Sequence, residues 1–255
     1  MNAQQKSPSR PTVKVAILGF GTVGHSVARI LIEHPPEGVE LHCLFNRGID
    51  RKRVPWVPSS VLWTEDFDEV LASHPDIVIE LAGGLTPAGD WVRKSLAAGK
   101  SVVTANKKMI AEQGPALEEL ARRHGCQLLF GAAVAGGVPV IPAVQQGLAG
   151  DRIQRLHGIL NGTCNFILSN MENGAEFDET LREAQERGYA EANPTEDVDG
   201  FDARAKLVIL SRIGLRMEVL PEEVLVTQLR PFILSAIVKK VAPHREGLPA
   251  QATTN

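Results

Sequence analysis

In the first half of the chain, apolar residues gather in short runs separated by stretches of helical periodicity. Val13 to Leu18 (VKVAIL) is a short, mostly apolar run of strand length, and apolar positions then recur with helical spacing from Val23 to Leu31. Further runs occupy Val39 to Phe45, Asp76 to Leu81 (DIVIEL), Ser101 to Thr104 (SVVT) and Gln127 to Phe130, the last preceded by a helical segment from Pro115 to Arg123. Strands alternating with helices predict an α/β fold.

The second half follows another plan. Gly131 to Val144 (GAAVAGGVPVIPAV) carries three glycines and two prolines and reads as a hinge. Arg155 to Leu160 (RLHGIL) predicts a strand that runs into Asn161, Gly162, Thr163 and Cys164, with a helix to follow. Asp178 to Arg187 predicts an amphipathic helix capped by Asp178 and stopped by Gly188. A last helix starts near Asp199 or Gly200, with Asp199 as candidate N-cap and Ala203, Leu207 and Leu210 as the stripe that buries it.

A chain of 255 residues suffices for one large domain or two small ones. Hydrophobic residues at 44% and charged residues at 22% are ordinary globular values. A formal net charge of -3 gives no electrostatic reason to expect nucleic acid or an anionic membrane as a partner. Cys43, Cys126 and Cys164 lie far apart without metal-ligand spacing, which fits unpaired thiols in a reducing cytoplasm. No apolar run reaches membrane-spanning length, and MNAQQKSPSRPT at the start lacks the apolar core of a signal peptide. The expectation is a cytoplasmic protein that meets small molecules.

Which small molecules is suggested by Gly19, Phe20, Gly21, Thr22, Val23 and Gly24, a GxGxxG turn set between a strand and a helix. Gly19 permits the tight turn, Gly21 lets the backbone approach a pyrophosphate, and Gly24 lets the helix lie close to the strand. Free N–H groups at the helix start then meet phosphate oxygens, so the segment predicts a dinucleotide cradle. At the end of the second run stand Asn46 and Arg47, with Arg51, Lys52 and Arg53 beyond, and the acid that would bind an NAD ribose is missing. Arg47 can meet a 2′-phosphate there, which favours NADP over NAD; a solvated basic loop and the use of both cofactors stay open. Ala82, Gly83 and Gly84 end the next strand in a loop small enough to admit a nicotinamide ring. After the strand ending at Thr104 come Ala105, Asn106, Lys107 and Lys108, where Lys107 either stabilises charge developing on a carbonyl oxygen or is a solvated loop lysine. Asn161 and Thr163, also at a strand end, can orient the substrate or the nicotinamide amide, and Thr163 serves equally well as a helix N-cap.

The densest chemistry lies from Arg187 to Leu207 (RGYAEANPTEDVDGFDARAKL). Glu191, Glu196, Asp197, Asp199 and Asp202 precede a single lysine, Lys206. Asp202 and Lys206 are four apart on one helix face. They are either an exposed pair worth about 0.3–0.5 kcal/mol, or a lysine held among carboxylates that passes a proton while its neighbours grip a substrate ammonium.

These segments resemble a known family. GYAEANPTEDVDGFDARAK is similar to the homoserine dehydrogenase signature GY.E.DP..D..G.D...K, with every spacing between charged positions kept and Asn193 in place of the common aspartate. TANKK resembles the family's TANK segment, GAAVAGGVP its EAAVAGG.P segment, and NGTCNFIL its LNGT.N(F/Y)IL core. The resemblance covers roughly residues 13 to 227, beyond which family members continue with further strands. It implies reversible NAD(P)H-dependent reduction of L-aspartate 4-semialdehyde to L-homoserine, a step of threonine and methionine biosynthesis. By the same resemblance Lys206 handles the proton, Lys107 polarises the carbonyl, Glu191 and Asp202 hold the substrate, and Asp197 supports the lysine. Gly131 replaces a glutamate that binds a monovalent cation in the family, so no metal site is predicted. The family pairs subunits through its substrate domain, which implies a homodimer.

The expected architecture is a polar tail over residues 1–12, a Rossmann NAD(P)-binding domain over 13–133, an incomplete α+β substrate and dimerisation domain over 134–230, and a tail over 231–255. Two other readings stay open. One is a truncated, inactive cofactor-binding homologue; the other is an acylating semialdehyde dehydrogenase with Cys164 as nucleophile, against which stands a packed thiol.

Overall fold

The computed structural model describes residues 12–226 and 237–238, so the two expected tails lie almost entirely outside the described residues. The chain divides into two compact units. The first runs to Leu156 and includes Ile213–Leu215, and the second comprises His157–Arg212 and the described residues from Arg216 on. The boundary expected at 133/134 falls inside the first unit.

In chain order the first unit contains β1 (Val13–Leu18), α1 (Thr22–Glu33), β2 (Val39–Phe45), β3 (Leu62–Thr64), α2 (Phe67–Ala72), β4 (Ile77–Glu80), α3 (Ala88–Ala97), β5 (Ser101–Thr104), α4 (Lys107–Arg123), β6 (Leu128–Leu129) and α5 (Val140–Pro142). The six strands form one parallel sheet in the order β3-β2-β1-β4-β5-β6, the Rossmann arrangement. Central β1 explains its own composition. Covered on both faces, Val15 to Leu18 are no more than 2% exposed, so every position of the run is apolar rather than every second one. The order reverses direction between β1 and β4, and Leu18, Glu80 and Thr104 stand level at the carboxyl ends of β1, β4 and β5.

Two elements differ from expectation. β3 was not foreseen, because three residues are too few to show a period; it is a strand because the edge of β2 offers a ladder, from Cys43 opposite Leu62 to Phe45 opposite Thr64. α4 starts at Lys107 rather than Pro115, which lies inside the helix. An interior proline costs roughly 3 kcal/mol, but Met109 and Ile110 in the turns before it are both 0% exposed. Burying two such side chains contributes about 1.5–3 kcal/mol each, which outweighs the lost bond.

The second unit contains α6 (Gly162–Glu172), α7 (Phe177–Glu186), α8 (Thr195–Val198) and most of α9 (Phe201–Leu215), with β7 (Val224–Leu225) paired antiparallel to β8 (Ile237–Val238). The strand expected at Arg155–Leu160 is extended chain without a ladder, and Ile159 is 75% exposed. Apolar content suggests a strand, but a strand exists only where another chain segment pairs with it, and none of the described residues does. Asp178 lies in the first turn of α7, whose N-cap is Glu176. Asp199 closes α8, and Gly200, with φ +76°, is the N-cap of α9. The reversal between the two helices needs a left-handed residue, which glycine supplies at no steric cost and aspartate does not. Nor is α9 buried along one stripe: Val208, Ile209, Leu210 and Ser211 are consecutive and all at most 6% exposed, so its second half is enclosed on every side.

Candidate functional site

The glycine turn follows β1. Gly19 has φ +101°, and a Cβ there would lie 2.8 Å from the backbone nitrogen of Ala82 and 2.9 Å from its Cα. A Cβ on Gly24 would lie 1.9 Å from the carbonyl oxygen of Gly19. Both positions are therefore glycine for the protein's own packing. Gly21 differs, since a Cβ there meets nothing within 4 Å. That open space sits at the N-cap of α1, where no side chain caps the helix and no acid occupies the first turn. Unengaged N–H groups beside open space fit a dinucleotide pyrophosphate. Thr22 and Val23 are exposed at this helix start.

Phe20 has a different task. Its ring is 3% exposed and packs edge-on against Trp63 at 5.0 Å, and its N–H donates to Asn46 Oδ1 at 2.9 Å. Asn46 also donates through Nδ2 to the Arg47 carbonyl at 2.6 Å. The residue that replaces the ribose-binding acid thus ties the end of β2 to the glycine turn, leaving the Arg47 side chain exposed beside it.

At the ends of β4 and β5 a buried network appears that sequence reasoning missed. Glu80, 0% exposed, accepts from the Ala82 and Gly83 backbone N–H groups at 2.9 and 2.8 Å and from the Thr104 hydroxyl at 2.5 Å. Thr104 Oγ1 in turn accepts from Asn106 N–H at 3.0 Å, and Asn106 Nδ2 donates to the Gly84 carbonyl at 2.6 Å. Gly83 and Gly84, with φ +73° and +76°, are exposed but fastened from beneath. Thr104, itself 0% exposed, is committed inward, so its hydroxyl serves the loop rather than meeting a ligand directly. The available signal was Glu80, an acid set between the apolar residues Ile77 to Ile79 and Leu81.

Asn106 also caps α4 by accepting from Met109 N–H at 3.1 Å, which makes Lys107 the first residue of that helix, half-buried, and Lys108 the second, exposed. Two cations at the positive end of a helix dipole cost about 0.3–1 kcal/mol each, so helix stability does not explain them.

In the second unit, Asn161 organises the acids. As N-cap of α6 it accepts from Cys164 N–H at 2.7 Å, and its Nδ2 donates to Asp197 Oδ1 at 2.7 Å and Asp202 Oδ2 at 2.8 Å. Both amide hydrogens are taken, so Asn161 orients carboxylates rather than a nicotinamide. Lys206 Nζ donates to the same Asp202 oxygen at 2.7 Å and to the Leu160 carbonyl at 2.8 Å. The Lys206 and Asp202 side chains are 18% and 5% exposed. This is not the exposed helical pair that the spacing allowed. Burying such a pair costs desolvation that mutual attraction barely repays, so stability alone is a poor reason for it. Two of the three ammonium hydrogens are engaged, and the third has no hydrogen-bond partner among the described residues.

Thr163 is not a cap. Its hydroxyl donates to the Tyr189 carbonyl at 2.6 Å, fastening α6 to the turn after α7. Glu191 lies exposed just beyond that turn, and the structure does not bring its carboxylate to Lys206. Cys164 is a packed thiol, 5% exposed, whose Sγ donates to the Asp197 carbonyl at 3.2 Å. Burial, with Asp197 and Asp202 adding, pushes it up to about 11, the opposite of an activated nucleophile.

A model of the homoserine dehydrogenase NAD-binding domain matches residues 19–131, and one of homoserine dehydrogenase matches residues 139–251. The second match passes residue 227, where the sequence resemblance was expected to stop. A homoserine dehydrogenase of Synechocystis is 45% identical over 223 residues, 84% of this chain and 51% of that protein. The structure of a homoserine dehydrogenase from Thiobacillus denitrificans has a TM-score of 0.76 at 43% identity, over 83% of this chain and 51% of the other. A hyperthermophilic archaeal homoserine dehydrogenase in complex with NADPH has a TM-score of 0.70 at 26% identity, over 84% and 77%. The chain spans about half the length of the curated relatives it matches.

Proposed function

The chain belongs to the homoserine dehydrogenase family, and from that premise we propose that it serves the reversible interconversion of L-aspartate 4-semialdehyde and L-homoserine. The observation that carries this reading is the buried Lys206–Asp202 pair, held by Asn161 and the Leu160 carbonyl with one ammonium hydrogen uncommitted. The dinucleotide supplies the hydride when bound. What the chain supplies is position and protons.

Gly21 and the open start of α1 hold the pyrophosphate, with Gly83 at the ring end. Arg47, exposed at the end of β2 where no acid stands, meets a 2′-phosphate, which favours NADP over NAD. Lys206 gives its proton to the oxygen of the aldehyde as it becomes an alcohol, and takes it back in the reverse direction. Asp202 fixes the ammonium in place for that transfer. Lys107, at the start of α4, polarises the carbonyl. Glu191 and Asp202 bind the amino-acid end, Asp197 is the supporting carboxylate near the lysine, and Thr163 holds the turn that precedes Glu191. Two copies associate through the second unit as a homodimer, and the product enters threonine and methionine synthesis.

The test is to follow NADPH absorbance with purified protein and aspartate semialdehyde, and to repeat it with NADH. Semialdehyde-dependent oxidation with homoserine as product, faster with NADPH, is the expected result. Dinucleotide binding without consumption would sink the reading.

A further inference from the structure

We propose that Glu80 is a positioning residue for the ring end of the dinucleotide, a buried anion that holds the Ala82–Gly84 loop against the glycine turn and favours the oxidised cofactor over the reduced one. The inference rests on the dinucleotide reading above and goes beyond it. Glu80 ends β4, is fully buried, and stands level with Leu18 of β1 and Thr104 of β5. Its three contacts are donors: Ala82 N–H and Gly83 N–H on Oε1, and the Thr104 hydroxyl on Oε2. That is the set an ionised carboxylate satisfies, and none of the three is a cation. A negative charge is costly to bury without an opposite one, so a packing role alone would be better filled by a neutral side chain.

The mechanical part of the role follows from the loop. Oε1 draws two successive backbone N–H groups inward, while Asn106 Nδ2 holds the Gly84 carbonyl, so the segment is fastened at both ends. Gly19 lies on this same segment, with its would-be Cβ 2.8 Å from the Ala82 nitrogen and 2.9 Å from the Leu81 carbonyl carbon. Glu80 therefore sets the separation of the two loops that flank the switch between β1 and β4, where open α/β sheets take their ligands. The electrostatic part follows from the ligand's chemistry. A nicotinamide ring is positive when oxidised and neutral when reduced, so an anion beneath its loop stabilises the first form selectively.

Glu80→Gln keeps the volume and an acceptor for the two N–H groups, removes the charge, and reverses one contact, its amide N–H donating to the Thr104 hydroxyl oxygen. The full-length variant is titrated with NADP+ and NADPH, and with NAD+ and NADH, by calorimetry and cofactor fluorescence, with its fold checked by circular dichroism. The expected result is an affinity for the oxidised form that falls about ten-fold relative to the reduced form. Equal losses for both forms, or no loss, overturn the proposal. Glu80→Asp keeps the charge on a shorter arm; it should weaken both forms while holding their ratio within about two-fold of wild type. A ratio that shifts further in this variant overturns the proposal even if Glu80→Gln does not fold. A wild-type chain that binds no dinucleotide removes both the proposal and the reading beneath it. Binding by the wild type with an unshifted Glu80→Gln ratio removes the proposal alone.

Discussion

Replacing Asn161 tests how the second unit keeps its acids and its lysine together. The side chain is on an 8% exposed residue and makes three hydrogen bonds, one capping α6 and one to each of Asp197 and Asp202. Losing the cap costs about 1 kcal/mol. A hydrogen bond to a charged group is worth about 1.5–3 kcal/mol, and the one to Asp202, whose residue is 4% exposed, should count in full. The bond to Asp197 counts for less than about 1 kcal/mol, because that residue is only half-buried and water can take the donor's place. Asn161→Ala should therefore lose about 2.5–5 kcal/mol. Asn161→Ser retains a capping oxygen and should lose about 1 kcal/mol less, so the difference between the variants isolates the cap. Urea unfolding is the assay. Trp56, Trp63 and Trp91 all lie in the first unit, so their fluorescence reports it, while the sole tyrosine, Tyr189, reports on the second, and helical circular dichroism follows both. With a denaturant slope of about 2 kcal/mol per molar, the second-unit midpoint should fall by roughly 1.2–2.5 M in Asn161→Ala. If both variants unfold within about 0.5 kcal/mol of wild type, Asn161 does not hold these carboxylates and the site has been assembled wrongly.

Other outcomes follow from the same geometry. Lys206→Ala should lower turnover by about 10²–10⁴-fold, the usual share of a proton-transfer residue, with NADPH affinity within about three-fold of wild type by titration; an unchanged rate rejects the assignment. Gly21→Ala should fold and melt like wild type yet bind NADPH at least about ten-fold more weakly, since its Cβ enters open space, whereas Gly24→Ala, whose Cβ would sit 1.9 Å from a carbonyl oxygen, should be visibly destabilised. Equal melting temperatures for these two variants would contradict the packing described. Burial, with Glu69 adding and Ser73 opposing, pushes the Cys43 thiol up to about 12, and Cys164 stands at about 11, against an ordinary value of 9.0. Above about pH 9 the unfolded chain then binds fewer protons than the folded one, so stability should fall as pH rises through 9 to about 11–12. The Cys43→Ala, Cys164→Ala double variant should show a flatter alkaline limb, and Cys164→Ala should retain activity; loss of activity would revive a nucleophilic thiol.

Read alone, the sequence determined whatever is written in neighbouring residues. The apolar run of β1 and the glycine spacing that follows it specify a buried strand entering a dinucleotide turn, because burial on both faces and close backbone approach each demand particular residue types locally. The four-residue interval between Asp202 and Lys206 placed them on one helical face for the same reason. Tertiary structure alone decided what depends on distant partners. Whether Arg155–Leu160 is a strand depends on a ladder from elsewhere; whether Lys206 meets an acceptor beyond its own helix depends on the Leu160 carbonyl, 46 residues earlier, while Asn161 holds its partner Asp202. Glu80 was one acid in an apolar run until folding set Thr104, 24 residues on, against its second oxygen. Local periodicity carries no record of such contacts, since a hydrogen bond across the sheet or between helices constrains the partner's position in space and leaves its position in the chain almost free.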